Sequence, residues 1–111
     1  MTDDAGRTPL APNPADLIEP VWLVEATYAP DAAETRKPFR AEHLARLMEL
    51  RDAGVVIEAG AFPDVSASVM FLRAASEAEA LAICRDDVYM RNGVWVEVRA
   101  RPFGLVTRAR S

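Results

Sequence analysis

The chain has one cysteine and one histidine in 111 residues. The lone Cys84 excludes an internal disulfide and any multi-cysteine zinc site within one chain. The lone His43 excludes a two-histidine metal site in one subunit. No stretch approaches the roughly 18 apolar residues that a membrane-spanning helix needs, so a membrane is not an expected partner. A basic excess is missing as well: 13 Lys and Arg stand against 17 Asp and Glu, a net charge of −4. Nucleic-acid binding is driven by neutralising phosphates, so a nucleic acid is not expected either. With five glycines the chain has no Gly-x-Gly-x-x-Gly, no phosphate loop and no nucleophile elbow around its serines. No cofactor and no metal are expected. The first residues carry acids and no apolar stretch, unlike a secretory signal, and the expected compartment is the cytoplasm.

What is present suits one domain with a real core, since half the residues are hydrophobic and 27% are charged. Residues 1–20 hold four of the eight prolines (Pro9, Pro12, Pro14, Pro20) among Asp, Asn, Ala and Thr. Too little apolar surface is available there to offset ordering entropy, so a disordered extension is expected. The domain is expected over 21–105, with 106–111 as a tail.

Val21 to Tyr28 reads as a strand rich in β-branched and aromatic residues, closed by Pro30. A helix follows from about Pro38 to Ala53, with Gly54 as its stop. Asp31 and Glu34 have capping-box spacing, which allows an earlier start. Val55–Ala61 and Ala67–Ala74 read as neighbouring strands across the turn at Phe62-Pro63-Asp64. Ser76 and Glu79 form a capping box for a second helix that ends near Asp86 or Asp87. Val88–Gly93 reads as a loop. The last strand runs from Val94 to about Arg101, where Pro102 ends it. Its alternation sets Val94, Val96, Val98 and Ala100 on one side and Trp95, Glu97, Arg99 and Arg101 on the other.

The order β-α-β-β-α-β is the ferredoxin-like, α+β pattern: a four-stranded antiparallel sheet with two helices on one face. The opposite face keeps apolar residues, including Trp22 or Trp95. An apolar sheet face of that size marks an interface, so a homodimer through the open faces is expected.

On the first helix His43 falls between Phe39 and Leu47 on the apolar stripe, with Arg40 on the same side one turn earlier. A lone histidine on such a face is more often a satisfied core residue than a catalytic one. Cations in the same stripe raise the functional odds, because they are rarely buried without cause; the alternative is snorkelling at the helix edge. Asp86 and Asp87 follow the second helix, where the dipole disfavours acids. They are either a solvated end or hold a partner. Side-by-side helices would let Asp87 meet His43, and a carboxylate against an imidazole fixes its tautomer for proton transfer near neutral pH. Cys84 lies in an apolar helix and reads as core.

The runs Arg40 to Leu47, Gly54 to Ala61, Ser76 to Ala80, Asp87 to Val94 and Arg101-Pro102-Phe103, in that order, resemble the YCII-related (YciI-like) domain. The resemblance covers about 21–105. It implies the dimeric α+β barrel superfamily and a small site made of a His and an Asp, matched here by His43 and Asp87, with Arg40 matching an arginine three residues before the His. The family's Ala-Gly-Pro corresponds to Ala59-Gly60-Ala61 and its Asp-Pro to Asp87-Val88, so both prolines are absent. The implied class of activity is lyase or isomerase work on small metabolites.

Two functions follow. One is a cofactor-free acid–base enzyme acting on a small anionic or cyclic metabolite. In it His43 carries the proton, Asp87 orients it, and Arg40, Gly60 and Tyr89 bind substrate. The other is a non-catalytic dimeric module that holds a small ligand, with the His–Asp pair as a buried polar staple.

Overall fold

The computed structural model describes residues 13–107. Its elements are β1 (Ile18–Tyr28), α1 (Ala32–Thr35), α2 (Arg40–Asp52), β2 (Val56–Ala61), β3 (Ala67–Leu72), α3 (Glu77–Arg85), α4 (Val88–Arg91) and β4 (Trp95–Val106). Short 3-10 turns occupy Pro14–Leu17 and Lys37–Phe39. The four strands form one antiparallel sheet in the order β2-β3-β1-β4. This is the ferredoxin-like arrangement, in which the two βα halves interleave so that β1 and β3 lie at the centre.

Local chemistry explains most boundaries. Ser76 Oγ accepts the Glu79 N–H at 3.1 Å, and the Glu79 carboxylate turns back to the Ala75 N–H, which starts α3 as a capping box does. Gly54 follows α2 at φ +79°, a left-handed conformation that a glycine adopts without steric cost. The helix expected from about Pro38 to Ala53 is α2, preceded by a 3-10 turn at Lys37–Phe39 that holds Pro38, and the earlier start offered by Asp31 is the separate short helix α1.

Several expectations need correcting. Residues 13–20 are ordered: Asn13 caps the first 3-10 turn and β1 begins at Ile18, three residues early. Residues 1–12 of the expected extension, and 108–111 of the expected tail, lie outside the described residues. Val106 belongs to β4, and the Thr107 N–H reaches the Leu17 carbonyl. Neither Pro20 nor Pro102 ends its strand. β4 is a sheet edge throughout, and β3 joins β1 only from Trp22, so both prolines sit where a missing N–H breaks no central ladder.

The segment expected as a loop at Val88–Gly93 contains α4. Asp87 caps it, its carboxylate accepting the Tyr89 N–H at 2.9 Å. An acid that looked misplaced at the end of α3 is thus well placed at the start of the next helix.

The largest correction concerns β4. Tyr28 pairs with Trp95 and Thr27 with Glu97, so Val96 is an extra residue, a β-bulge. The bulge turns Trp95 to the helix-covered side, the side also of Val98, and leaves Val96 more than half exposed. Trp22, opposite Leu72, also lies on that side and donates its indole N–H to the Ala74 carbonyl. Neither tryptophan is on the open face, which instead presents Leu23, Val69 and the Phe71–Phe103 pair, ring centroids 5.0 Å apart. The core between sheet and helices is built on Val24, Tyr28, Leu72, Cys84, Tyr89 and Trp95.

Candidate active site

The only buried residue of α2 is its histidine. Leu44 and Met48 of the same helix are about half exposed. His43 is held from three sides. Its Nδ1 lies 2.8 Å from Asp87 Oδ2. Its ring stacks on Tyr89 with centroids 3.8 Å apart and planes 10° apart, and meets the edge of Trp95 at 5.1 Å. α4 therefore supplies the stacking ring as well as a use for Asp87, and the β4 bulge supplies the third wall.

Asp87 is 1% exposed. One oxygen accepts from His43 and from the Tyr89 N–H; the other accepts from Arg46 Nη1 at 3.3 Å. Burial by itself pushes this carboxyl up. The hydrogen bond and charge of His43, the Tyr89 N–H and the Arg46 guanidinium outweigh it and hold the group below its ordinary value. An ionised Asp87 accepts the hydrogen bond of Nδ1–H, which in the neutral ring puts the lone pair on Nε2. Among the described residues nothing bonds to Nε2.

That nitrogen belongs to a ring that lines a cavity of about 310 Å³ between α2, β2, β3 and α4. Arg36, Arg40, Gly60, Tyr89, Trp95, Tyr28 and Ser68 also line it. All five residues singled out in the sequence meet here: His43, Arg40, Gly60 and Tyr89 at the wall, and Asp87 directly behind His43. Neither Arg36 nor Arg40 has a carboxylate within ion-pair distance among the described residues. The space is therefore electropositive at its rim and aromatic in its depth. Burial raises the Tyr89 phenol, Tyr28 and Asp87 add to that, and Arg36 and Arg40 work against it. Among the described residues no three His, Cys, Asp or Glu side chains gather as metal ligands would.

Three contributors escaped the sequence. Arg46, which braces Asp87 and bonds the Ile83 carbonyl at 2.9 Å, stood one turn after His43 on the same helix, and that spacing was a usable signal. Tyr28 and Ser68 share the helix-covered side of neighbouring strands, but their meeting depends on the β1–β3 register. Val88 stands at the first position of α4, where a proline also fits, so loss of the Asp-Pro motif leaves the turn intact.

A family model for the YCII-related domain matches residues 21–104. No protein with a curated description matches the chain. Among solved structures it is similar in fold to 5-chloro-2-hydroxyhydroquinone dehydrochlorinase from Burkholderia phenoliruptrix AC1100, in complex with 2,5-dihydroxybenzoquinone. The TM-score is 0.63 and the identity 19%, over 73% of this chain and 90% of that one.

Proposed function

The chain belongs to the YCII-related domain family, and on that premise we propose that it is a small-molecule enzyme of lyase or isomerase type, using the His43–Asp87 pair for proton transfer without a cofactor. One observation carries this: a buried histidine has Nδ1 committed to a carboxylate, and its ring lines a cavity beside two guanidiniums that lack carboxylate partners among the described residues. Nε2 takes a proton from the substrate while a leaving group departs with its bonding pair. In an isomerisation the imidazolium returns the proton to another atom of the same molecule. Arg40, with Arg36, holds the oxygen on which negative charge develops. Tyr89 keeps the imidazole plane fixed, and the Gly60 backbone forms the wall facing α2.

The substrate class is a small, flat anion. The aromatic depth favours a ring, and the structural neighbour, named for loss of chloride from a hydroxyhydroquinone, suggests the first compounds to assay. Turnover of 5-chloro-2-hydroxyhydroquinone and of related hydroxylated ring acids is followed by chloride release or absorbance. His43→Ala is expected to lower kcat by about 10²–10⁴, the usual worth of a positioned acid or base. Unchanged kcat in that variant, on whichever compound is turned over, refutes the assignment.

The open sheet face supports assembly as a homodimer. Leu23, Val69, Phe71 and Phe103 form an apolar patch beside the Glu25–Arg99–Glu97 charge cluster. Sedimentation of the native chain and of Phe71→Glu checks it: a dimer that becomes a monomer is expected, and a native monomer overturns it. Among the described residues no helix is long and apolar enough to cross a membrane.

A further inference from the structure

The cavity floor holds two buried hydroxyls for which the proton transfer above has no use. Ser68 Oγ donates to Tyr28 Oη at 3.0 Å. Their residues are 5% and 6% exposed, and both line the cavity. Two hydroxyls carry two protons, and the bond between them uses one. The second proton has no acceptor among the described residues. Trp95, on the same wall, repeats the pattern: its indole Nε1–H is buried with no partner among the described residues. Buried donors are almost always satisfied in folded proteins, so an unspent pair beside a cavity points to an acceptor that enters it.

We propose that the Tyr28–Ser68 pair is a second recognition point of this cavity. It selects ligands that carry a carbonyl or enolate oxygen in addition to the anionic group held by Arg36 and Arg40. The proposal rests on the reading that the cavity binds a small anion, and adds to it a separate requirement at a separate wall. Tyr28 supplies the donor. Ser68 is a positioning residue: by donating to Oη it turns the phenolic proton toward the cavity and strengthens it as a donor. A ligand without the second oxygen leaves that proton unpaired, which is how buried polar groups reject near-isosteres.

Benzoate and the three isomeric acetylbenzoates are suitable probes, because they share a ring and a carboxylate and differ by one carbonyl. Dissociation constants are measured by NMR titration on the full chain, on Tyr28→Phe and on Ser68→Ala. At least one acetylbenzoate is expected to bind the native chain about three- to tenfold more tightly than benzoate, the range of one neutral hydrogen bond. Tyr28→Phe is expected to abolish that preference, read as the ratio of the two dissociation constants, and Ser68→Ala to reduce it in part. If benzoate binds and no isomer is preferred, or the preference survives Tyr28→Phe, the hydroxyl-pair proposal is overturned and the anion reading stands. Should Tyr28→Phe fail to fold, Ser68→Ala decides: an undiminished preference overturns the proposal. Benzoate that does not bind, or binds Arg40→Gln equally well, overturns the anion reading and the proposal with it.

Discussion

Replacing Asp87 by Asn tests the centre of the site with almost no change of shape. The native carboxylate accepts three hydrogen bonds, from His43, the Tyr89 N–H and Arg46, and is 1% exposed. Asparagine keeps an acceptor for the Tyr89 N–H and is as good a helix cap as aspartate, so α4 survives. What is lost is charge and one acceptor: the amide oxygen still takes the His43 and Tyr89 N–H groups, but the amide NH2 faces Arg46 and cannot accept from it. Hydrogen bonds to charged groups are worth about 1.5–3 kcal/mol and neutral ones about 0.5–1.5. One weakened bond and one lost bond, less the lower desolvation cost of an amide, come to about 1–3 kcal/mol at pH 7. Urea unfolding followed by tryptophan fluorescence reads it, since Trp95 touches the His43 ring. The pH dependence is the sharper test. The folded carboxyl lies below its ordinary value, so its contribution is fully present above the unfolded pKa of about 3.9 and is lost as pH falls through the folded value. The difference between native chain and variant therefore shrinks on acidification below about pH 4. A difference that stays constant to pH 2.5, or an Asn variant as stable as the native chain at pH 7, would refute the reasoning.

Cys84 is buried, and burial, helped by Asp87 and opposed by Arg46, pushes its thiol up to about 12; a disulfide reagent at pH 8 is expected to leave the folded chain unlabelled and to react on addition of denaturant. Ser76→Ala removes the Oγ cap of α3 and is expected to cost about 1 kcal/mol in the same urea assay, with a loss below 0.3 kcal/mol counting against the cap. Gly54→Ala places a Cβ at φ +79° with open space around it; strain alone then predicts a cost of about 1–2 kcal/mol, and a neutral result would show that the turn relaxes.

The fold was readable because its elements announce themselves locally. The capping box at Ser76, the glycine after α2, and strand segments bounded by Pro30 and the Phe62-Pro63-Asp64 turn each mark a boundary within a few residues. The exceptions share a cause. Pro102 read as a stop, and Pro20 as part of the extension, because a proline breaks a central ladder, and whether a strand is central depends on how the sheet orders its strands. The face of Trp95 followed from strict alternation, and one bulge residue, Val96, reversed it. Arg46 carried a helical spacing that linked it to His43, whereas Tyr28 and Ser68, 40 residues apart, carried none.

By itself the sequence determined the order of the main strands and helices, the exclusion of an internal disulfide and of a two-histidine metal site within this chain, and the presence of one histidine on an apolar helix stripe with an acid at the end of the other helix. Those properties follow from side-chain periodicity and composition, which act over a few residues. Only the tertiary structure decided that Asp87 starts α4 and that its carboxylate is shared by His43, Tyr89 and Arg46. It also decided that a bulge brings Trp95 against the imidazole and that two distant hydroxyls meet on the cavity floor. Apart from the local Asp87 cap on the Tyr89 N–H, such contacts join residues 40 or more positions apart, and their geometry is set by strand register and helix packing, which no local pattern encodes.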